Sequence, residues 1–323
     1  MWRVLALDRF LRAALFGLCA HTLISAHELA AESKGAAAEP PRVLGLSHVA
    51  VKATDYEGSV AFYRDFLGFA EQGRLFDLKN GRRQLVFLKI SDTQSIEVFD
   101  AANVTQVAGN LYQIALQIDD AAATRLHLLK HGFKMPPKVP LGQMLNANFM
   151  VRDPNNYIIE MVHYLPEGRM VLDRGKFLSS TRISDRLIAA GVATTKLPET
   201  LRFYGEIFGF PQDLPRAGPA SGEPLQRFRV GANGDYVEVL VAPKDDTPFF
   251  RLEVRDLDYA RAQLERSPYF PTYGRPLAIQ SVPLRPRAIH LWDPEGIRVE
   301  LVEPETATPL GSPTPYAPPA RTR

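Results

Sequence analysis

Two stretches of the 323-residue chain are versions of each other, and this repeat constrains the fold more than any single motif. Residues 46–69 read LSHVAVKATDYEGSVAFYRDFLGF and residues 187–210 read LIAAGVATTKLPETLRFYGEIFGF. In the first, alternating positions Leu46, His48, Ala50 and Lys52 read as a short strand. Val60, Phe62, Tyr63, Phe66 and Leu67 then place apolar side chains on one broad helix face. Gly68 closes that helix, as a residue free to take positive φ. Phe203-Tyr204 and Phe208-Gly209-Phe210 fall on the same positions of the copy. Downstream landmarks recur as well: IEVFD with Glu97 matches VEVLV with Glu238, and Asp153-Pro154…Glu160 matches Asp293-Pro294…Glu300.

The His-bearing first strand, the FY…LGF helix and the DPxxxxxE strand together resemble the vicinal oxygen chelate (VOC) superfamily. Its members include glyoxalase I, extradiol ring-cleaving dioxygenases, methylmalonyl-CoA epimerase and the fosfomycin and bleomycin resistance proteins. The resemblance spans roughly residues 43–165 and 187–304. It implies an α+β fold of four βαβββ modules, starting near Val43, Asn110, Arg186 and Pro248, in two tandem glyoxalase-like domains, 43–166 and 187–304. The stretch 167–186 is the expected linker between them. In such a domain two modules curl their sheet into a cup around a metal.

Spacing then nominates a site. His48 to Glu97 is 97 − 48 = 49 residues, and Gln113 to Glu160 is 160 − 113 = 47. Each pair joins the first strand of a module to its fourth, where the superfamily places ligands. Singly, each residue has an ordinary explanation: a hydrogen-bonded strand histidine, or the polar positions of alternating strands. Jointly they imply a metal site of His48, Glu97, Gln113 and Glu160. One imidazole, two carboxylates and an amide oxygen suit Fe²⁺, Mn²⁺, Ni²⁺, Zn²⁺ or Mg²⁺. The second half is an internal control. Its matching positions are Ala189, Glu238, Phe249 and Glu300, with neither histidine nor glutamine, so it is expected to be metal-free. His290 is a weaker third donor to its two glutamates.

The donor set His-Glu-Gln-Glu resembles the glyoxalase I type that uses one His and one Gln. That resemblance implies metal-assisted proton transfer on a small molecule with vicinal oxygens, with Glu160 as the proton carrier and Glu97 second. Extradiol ring cleavage is the first alternative, although an amide stands where those enzymes keep a second histidine. Sequestration of a small molecule in the bleomycin-resistance manner is the other.

Composition bounds the partners. The formal net charge is +2 and no basic stripe marks a nucleic-acid surface. The expected partner is a small-molecule substrate, and a monomer or homodimer suffices. MWRVLALDRFLR followed by the apolar stretch 13–26 reads as a signal peptide cut after Ala26, with an uncleaved anchor as the alternative. The protein is therefore expected in the periplasm or secreted, without stable membrane insertion once the signal is removed. Cys19 is the only cysteine, so the mature chain would have no disulfide or thiolate chemistry. Residues 27–42 read as a linker and the Pro-rich 305–323 as a disordered tail. Within the domains, Pro136, Pro137 and Pro140 are expected to make the strand after the helix 121–131 an irregular edge, and the Pro/Gly-rich 211–224 reads as a loop.

Overall fold

The alternating stretch that opens each half becomes a central strand. A computed structural model describes residues 39–79, 81–104, 110–217, 224–241, 248–281 and 287–304. The signal segment, most of the first linker and the tail lie outside the described residues. No helix among the described residues is long and apolar enough to cross a membrane.

The first half runs β1 (Val43–Ala53), α1 (Tyr56–Ala61) continued by a π-turn (Phe62–Phe66), β2 (Ala70–Phe76), β3 (Arg83–Lys89) and β4 (Ser95–Asp100). Then come β5 (Leu111–Ile118), α2 (Ala121–Lys130), β6 (Ala147–Arg152) and β7 (Ile158–His163). The sheet order is β2-β3-β4-β1-β5-β7-β6. β1 is parallel to β4 and antiparallel to β5, so two modules meet side by side at their first strands. The second half follows a short helix α3 (Arg169–Leu172) in the connector. It runs β8 (Arg186–Thr194), α4 (Leu197–Leu201) with a π-turn (Arg202–Ile207), β9 (Gln212–Ala217), β10 (Pro224–Val230) and β11 (Asp235–Val241). Its second module is β12 (Phe249–Glu253), α5 (Leu257–Glu265), α6 (Phe270–Tyr273), β13 (Ile279–Gln280), β14 (Ala288–Trp292) and β15 (Arg298–Val302). Its order, β13-β14-β15-β12-β8-β11-β10-β9, repeats the first with all eight strands. Both sheets belong to one compact unit that starts at Pro40.

Two expectations change. The irregular edge strand expected after α2 is not a strand: only a single bridge, Leu141 to Ala147, ties this segment to β6. Pro136, Pro137 and Pro140 have no N–H for a ladder. Conversely, the Pro/Gly-rich stretch 211–224, expected as a loop, contains β9. It is an edge strand paired to β10, a position that tolerates proline.

The repeated landmarks turn out to join the halves. Each FY helix ends in a wide turn, Leu67 N–H to Phe62 C=O at 3.0 Å and Phe208 N–H to Phe203 C=O at 3.2 Å. The tyrosine beside it then crosses to the other half. Tyr63 donates to Asp293 Oδ2 at 2.8 Å, and Tyr204 donates to Asp153 Oδ2 at 3.2 Å. Each aspartate's other oxygen holds its own turn: Asp153 Oδ1 accepts from the amides of Asn155 and Tyr157, and Asp293 Oδ1 from those of Glu295 and Ile297. Apolar packing follows the same crossing. Phe66 stacks on Tyr273 at 4.9 Å, and Phe203 meets Phe133 edge-on at 5.9 Å. A single main core accordingly includes residues of both sheets.

Candidate metal centre

Strand register brings the four nominated residues to one face. Across the first sheet, Phe87, Glu97, Ala50 and Gln113 are successive neighbours. One pleat away, His48, Ala115, Glu160 and Met150 are neighbours. Side chains two apart on a strand share a face, so all of them open into one cup. His48, Glu97, Gln113 and Glu160 are all buried and all line a cavity of about 310 Å³.

His48 ties the quartet together. Its Nε2 lies 3.1 Å from Glu160 Oε2 and its Nδ1 3.4 Å from Glu97 Oε1. Burial works against a charge on His48, but Glu97 and then Glu160 more than offset it and the pKa is raised. Glu97 is also raised: burial and the nearby Glu160 disfavour its charge, and His48 only partly compensates. Three neighbours were not legible in the sequence. Asn148 donates to Glu160 Oε1, which leaves Oε2 facing His48. Ser47 Oγ lies 3.2 Å from His48 Nδ1 and 2.6 Å from the Tyr164 hydroxyl, which itself donates to Thr93 C=O at 3.0 Å. These are single polar residues within a strand or just after one, with no motif to flag them.

The residues fit a divalent cation in two respects. The Gln113 amide oxygen is buried without a well-formed hydrogen bond, its polar neighbour being His48, whose charge Gln113 favours, while its nitrogen reaches Met150 Sδ at 3.4 Å. In addition, two buried carboxylates here share one imidazole, and a positive centre that frees the imidazole of its proton would compensate them better. Among the described residues no three His, Cys, Asp or Glu side chains are already gathered as a closed ligand cluster.

The second sheet carries the same register with different chemistry. Arg227, Glu238, Gly191 and Phe249 form one row; Ala189, Arg251, Glu300 and His290 form the other. The alignment of Ala189, Glu238, Phe249 and Glu300 with the first site therefore holds. The arginines were missed. Arg251 stands where the first half has Ala115, and its guanidinium bridges Glu238 and Glu300, reaching the latter at 2.6 Å. Arg227 lies 3.1 Å from Glu238 and Arg298 2.9 Å from Glu300. Burial pushes Glu300 up, but Arg251 and Arg298 outweigh it and hold the carboxyl low. His290 is 3.8 Å from Glu300 and is one partner among several cations.

Comparison with known proteins agrees with the fold. Residues 45–161 match the model of the Glyoxalase/Bleomycin resistance protein/Dioxygenase superfamily. This stretch is a domain of that superfamily. Among curated sequences none matches the chain. Among solved structures, a variant of homoprotocatechuate 2,3-dioxygenase from B. fuscum superposes with a TM-score of 0.60 at 15% identity, over 82% of this chain and 73% of that one. The Mn(II)-bound glyoxalase from Novosphingobium aromaticivorans gives a TM-score of 0.60 at 14% identity, over 81% and 83%. At such identities the likeness is one of fold. The superfamily domain holds the whole His48 quartet, whereas the second sheet shares the strand order.

Proposed function

We propose that the first cup is a divalent-metal centre performing glyoxalase-like lyase or isomerase chemistry on a small molecule with vicinal oxygens. The observation that carries this reading is the convergence of His48, Glu97, Glu160 and the poorly satisfied amide oxygen of Gln113 in one buried cup. These four would hold Fe²⁺, Mn²⁺, Ni²⁺ or Zn²⁺, all compatible with imidazole, carboxylate and amide donors. A bound divalent ion supplies a Lewis-acid pole for two neighbouring substrate oxygens. The chain's own residues do the rest. Glu160, with Oε1 held by Asn148, offers Oε2 as the proton carrier. Glu97, whose carboxyl burial pushes towards neutrality, is the second acid–base group. His48 and Gln113 position the site. Leu75, Leu85, Phe87 and Phe99 form an apolar wall beside it.

Ring-cleaving dioxygenase chemistry is the second reading, supported by the equally good superposition on an extradiol-type fold. Gln113 weighs against it, because an amide donates less to iron than a second imidazole. The N-terminal basic and apolar stretch supports export of the mature protein. The deciding experiment is metal analysis of purified protein loaded in turn with each of the four ions, with oxygen uptake followed on a catechol. Stoichiometric metal lost in His48→Ala and Gln113→Ala, without oxygen uptake, is the expected result. Metal with oxygen consumption would replace it by the dioxygenase reading, and no metal by sequestration.

A further inference from the structure

We infer that the molecule taken by the first cup is uncharged, with an aromatic or compact apolar body lying against Leu75, Leu85, Phe87 and Phe99. This deepens the metal-centre reading and rests on it. The first observation is a misplaced apolar surface. β3 carries Val86 and Leu88 into the main core, and also Leu85 and Phe87 onto the opposite, concave face. There they join Ala50 and Phe99 in a cluster separate from the main core, with Leu75 and Met144 packed against it. A cup-facing strand would ordinarily alternate to polar residues on that face. Val104 and Tyr112 also pack against this cluster, and Leu75, Leu85, Phe87 and Phe99 turn the rest of it to the cavity, where a ligand would lie against it.

The second observation is charge. Among the described residues lining the cavity, the charged groups are His48, Glu97 and Glu160, and no Lys or Arg is present. A ligand carboxylate or phosphate on the substrate's body would meet no Lys or Arg on these walls, and the divalent ion of the proposed centre already has two carboxylates beside it. The scaffold itself does not forbid one. At the position of Phe87 the second sheet has Arg227, and at Ala115 it has Arg251. The first half thus keeps apolar residues where its sister keeps guanidinium groups. The third observation is the polar remainder of the wall. Gln84, Gln143, Asn146, Asn148 and Tyr164 are neutral hydrogen-bonding groups. The cavity, about 310 Å³, suits one ring with a short substituent.

The test is calorimetric titration of the full mature protein, without oxygen, with 4-propylcatechol and with 3-(3,4-dihydroxyphenyl)propanoate. The two differ mainly in charge. Metal-loaded protein is expected to bind the neutral compound about tenfold or more tightly than the acid, and more tightly than catechol itself. Phe87→Arg, which installs the second sheet's residue, is expected to narrow or invert the charge preference. Gln84→Arg, at a half-buried wall position, should do the same if Phe87→Arg does not fold. Equal or tighter binding of the acid, no gain over catechol, or no binding of either compound overturns the inference. Repeating the titration on metal-free protein separates the two readings. The charge and alkyl preferences belong to the walls and survive metal removal. Preference for catechol over phenol belongs to the metal, and its absence in metal-treated protein breaks the metal-centre reading alone.

Discussion

The two cups are built on one register and compensate buried carboxylates in opposite ways. In the second, Glu238 and Glu300 are held by Arg251, with Arg227 and Arg298 at its sides. In the first, Glu97 and Glu160 share a single histidine, and Gln113 keeps an unmet oxygen. A side-chain cation completes one cup internally, and the other stays underpaired. Glu300 is accordingly held below the usual carboxylate range while Glu97 is pushed above it. A duplicated scaffold can therefore separate what it needs to fold from what it needs to react. On the proposed reading, the same glutamates serve structure where arginine accompanies them and chemistry where it does not.

The largest test of this contrast exchanges matched glutamates. Glu160→Gln should retain metal yet lose turnover by about 10²–10⁴. Glu300→Gln should leave turnover per folded molecule unchanged. Metal content and initial rates measured on both proteins decide it; a Glu160→Gln enzyme of wild-type rate would remove the assigned proton carrier. Next in size, Arg251→Met deprives two buried carboxylates of their shared counterion. Denaturant titration should show a loss of about 3–5 kcal/mol, and a smaller loss for His48→Ala in metal-free protein, because Glu97 already favours its neutral form. If the order is reversed, the arginine is not the second cup's counterpart of a metal.

Smaller effects probe the crossing bonds between the halves. Tyr63→Phe and Tyr204→Phe should each cost about 1–3 kcal/mol, with Tyr63 the larger because its bond to Asp293 is 2.8 Å against 3.2 Å. Equal thermal midpoints for both variants and the wild type would show that the bonds contribute nothing. The smallest effect is on pH dependence. Burial raises Asp293 to about 6, from an unfolded value near ~3.9. The folded state thus binds this proton more tightly, and the stability it gives is complete below ~3.9 and lost as pH rises through about 6. Asp293→Asn keeps the oxygen that holds the turn amides, turns the Tyr63 bond around so that the new amide donates to the hydroxyl, and cannot ionise. Its unfolding free energy relative to wild type should therefore increase between pH 4 and 7, measured by denaturant titration; a constant difference would refute the assignment.

Much of this was legible in the sequence because duplication printed it twice. The paired intervals from His48 to Glu97 and from Gln113 to Glu160 encode strands one and four of each module, and the register bears them out. The prolines after α2 signalled irregular backbone, but the edge strand expected there does not form. Arg251 escaped notice because an arginine in FFRLEV looks like the solvent-facing position of an alternating strand. Only the register shows that it faces buried glutamates. The Tyr63–Asp293 and Tyr204–Asp153 bonds were equally hidden, since partners 230 and 51 residues apart leave no local trace.

The segment that replaces the eighth strand of the first sheet has one more consequence. Leu141, Gly142, Gln143, Met144 and Asn146 reach the cavity from a stretch joined to β6 by a single bridge. Insertions or exchanges there can remodel the roof of the cup while the ladder beneath keeps its alignment. Selection, natural or in the laboratory, can thus change which molecules enter without renegotiating the floor that acts on them, a freedom the fully laddered second half has given up.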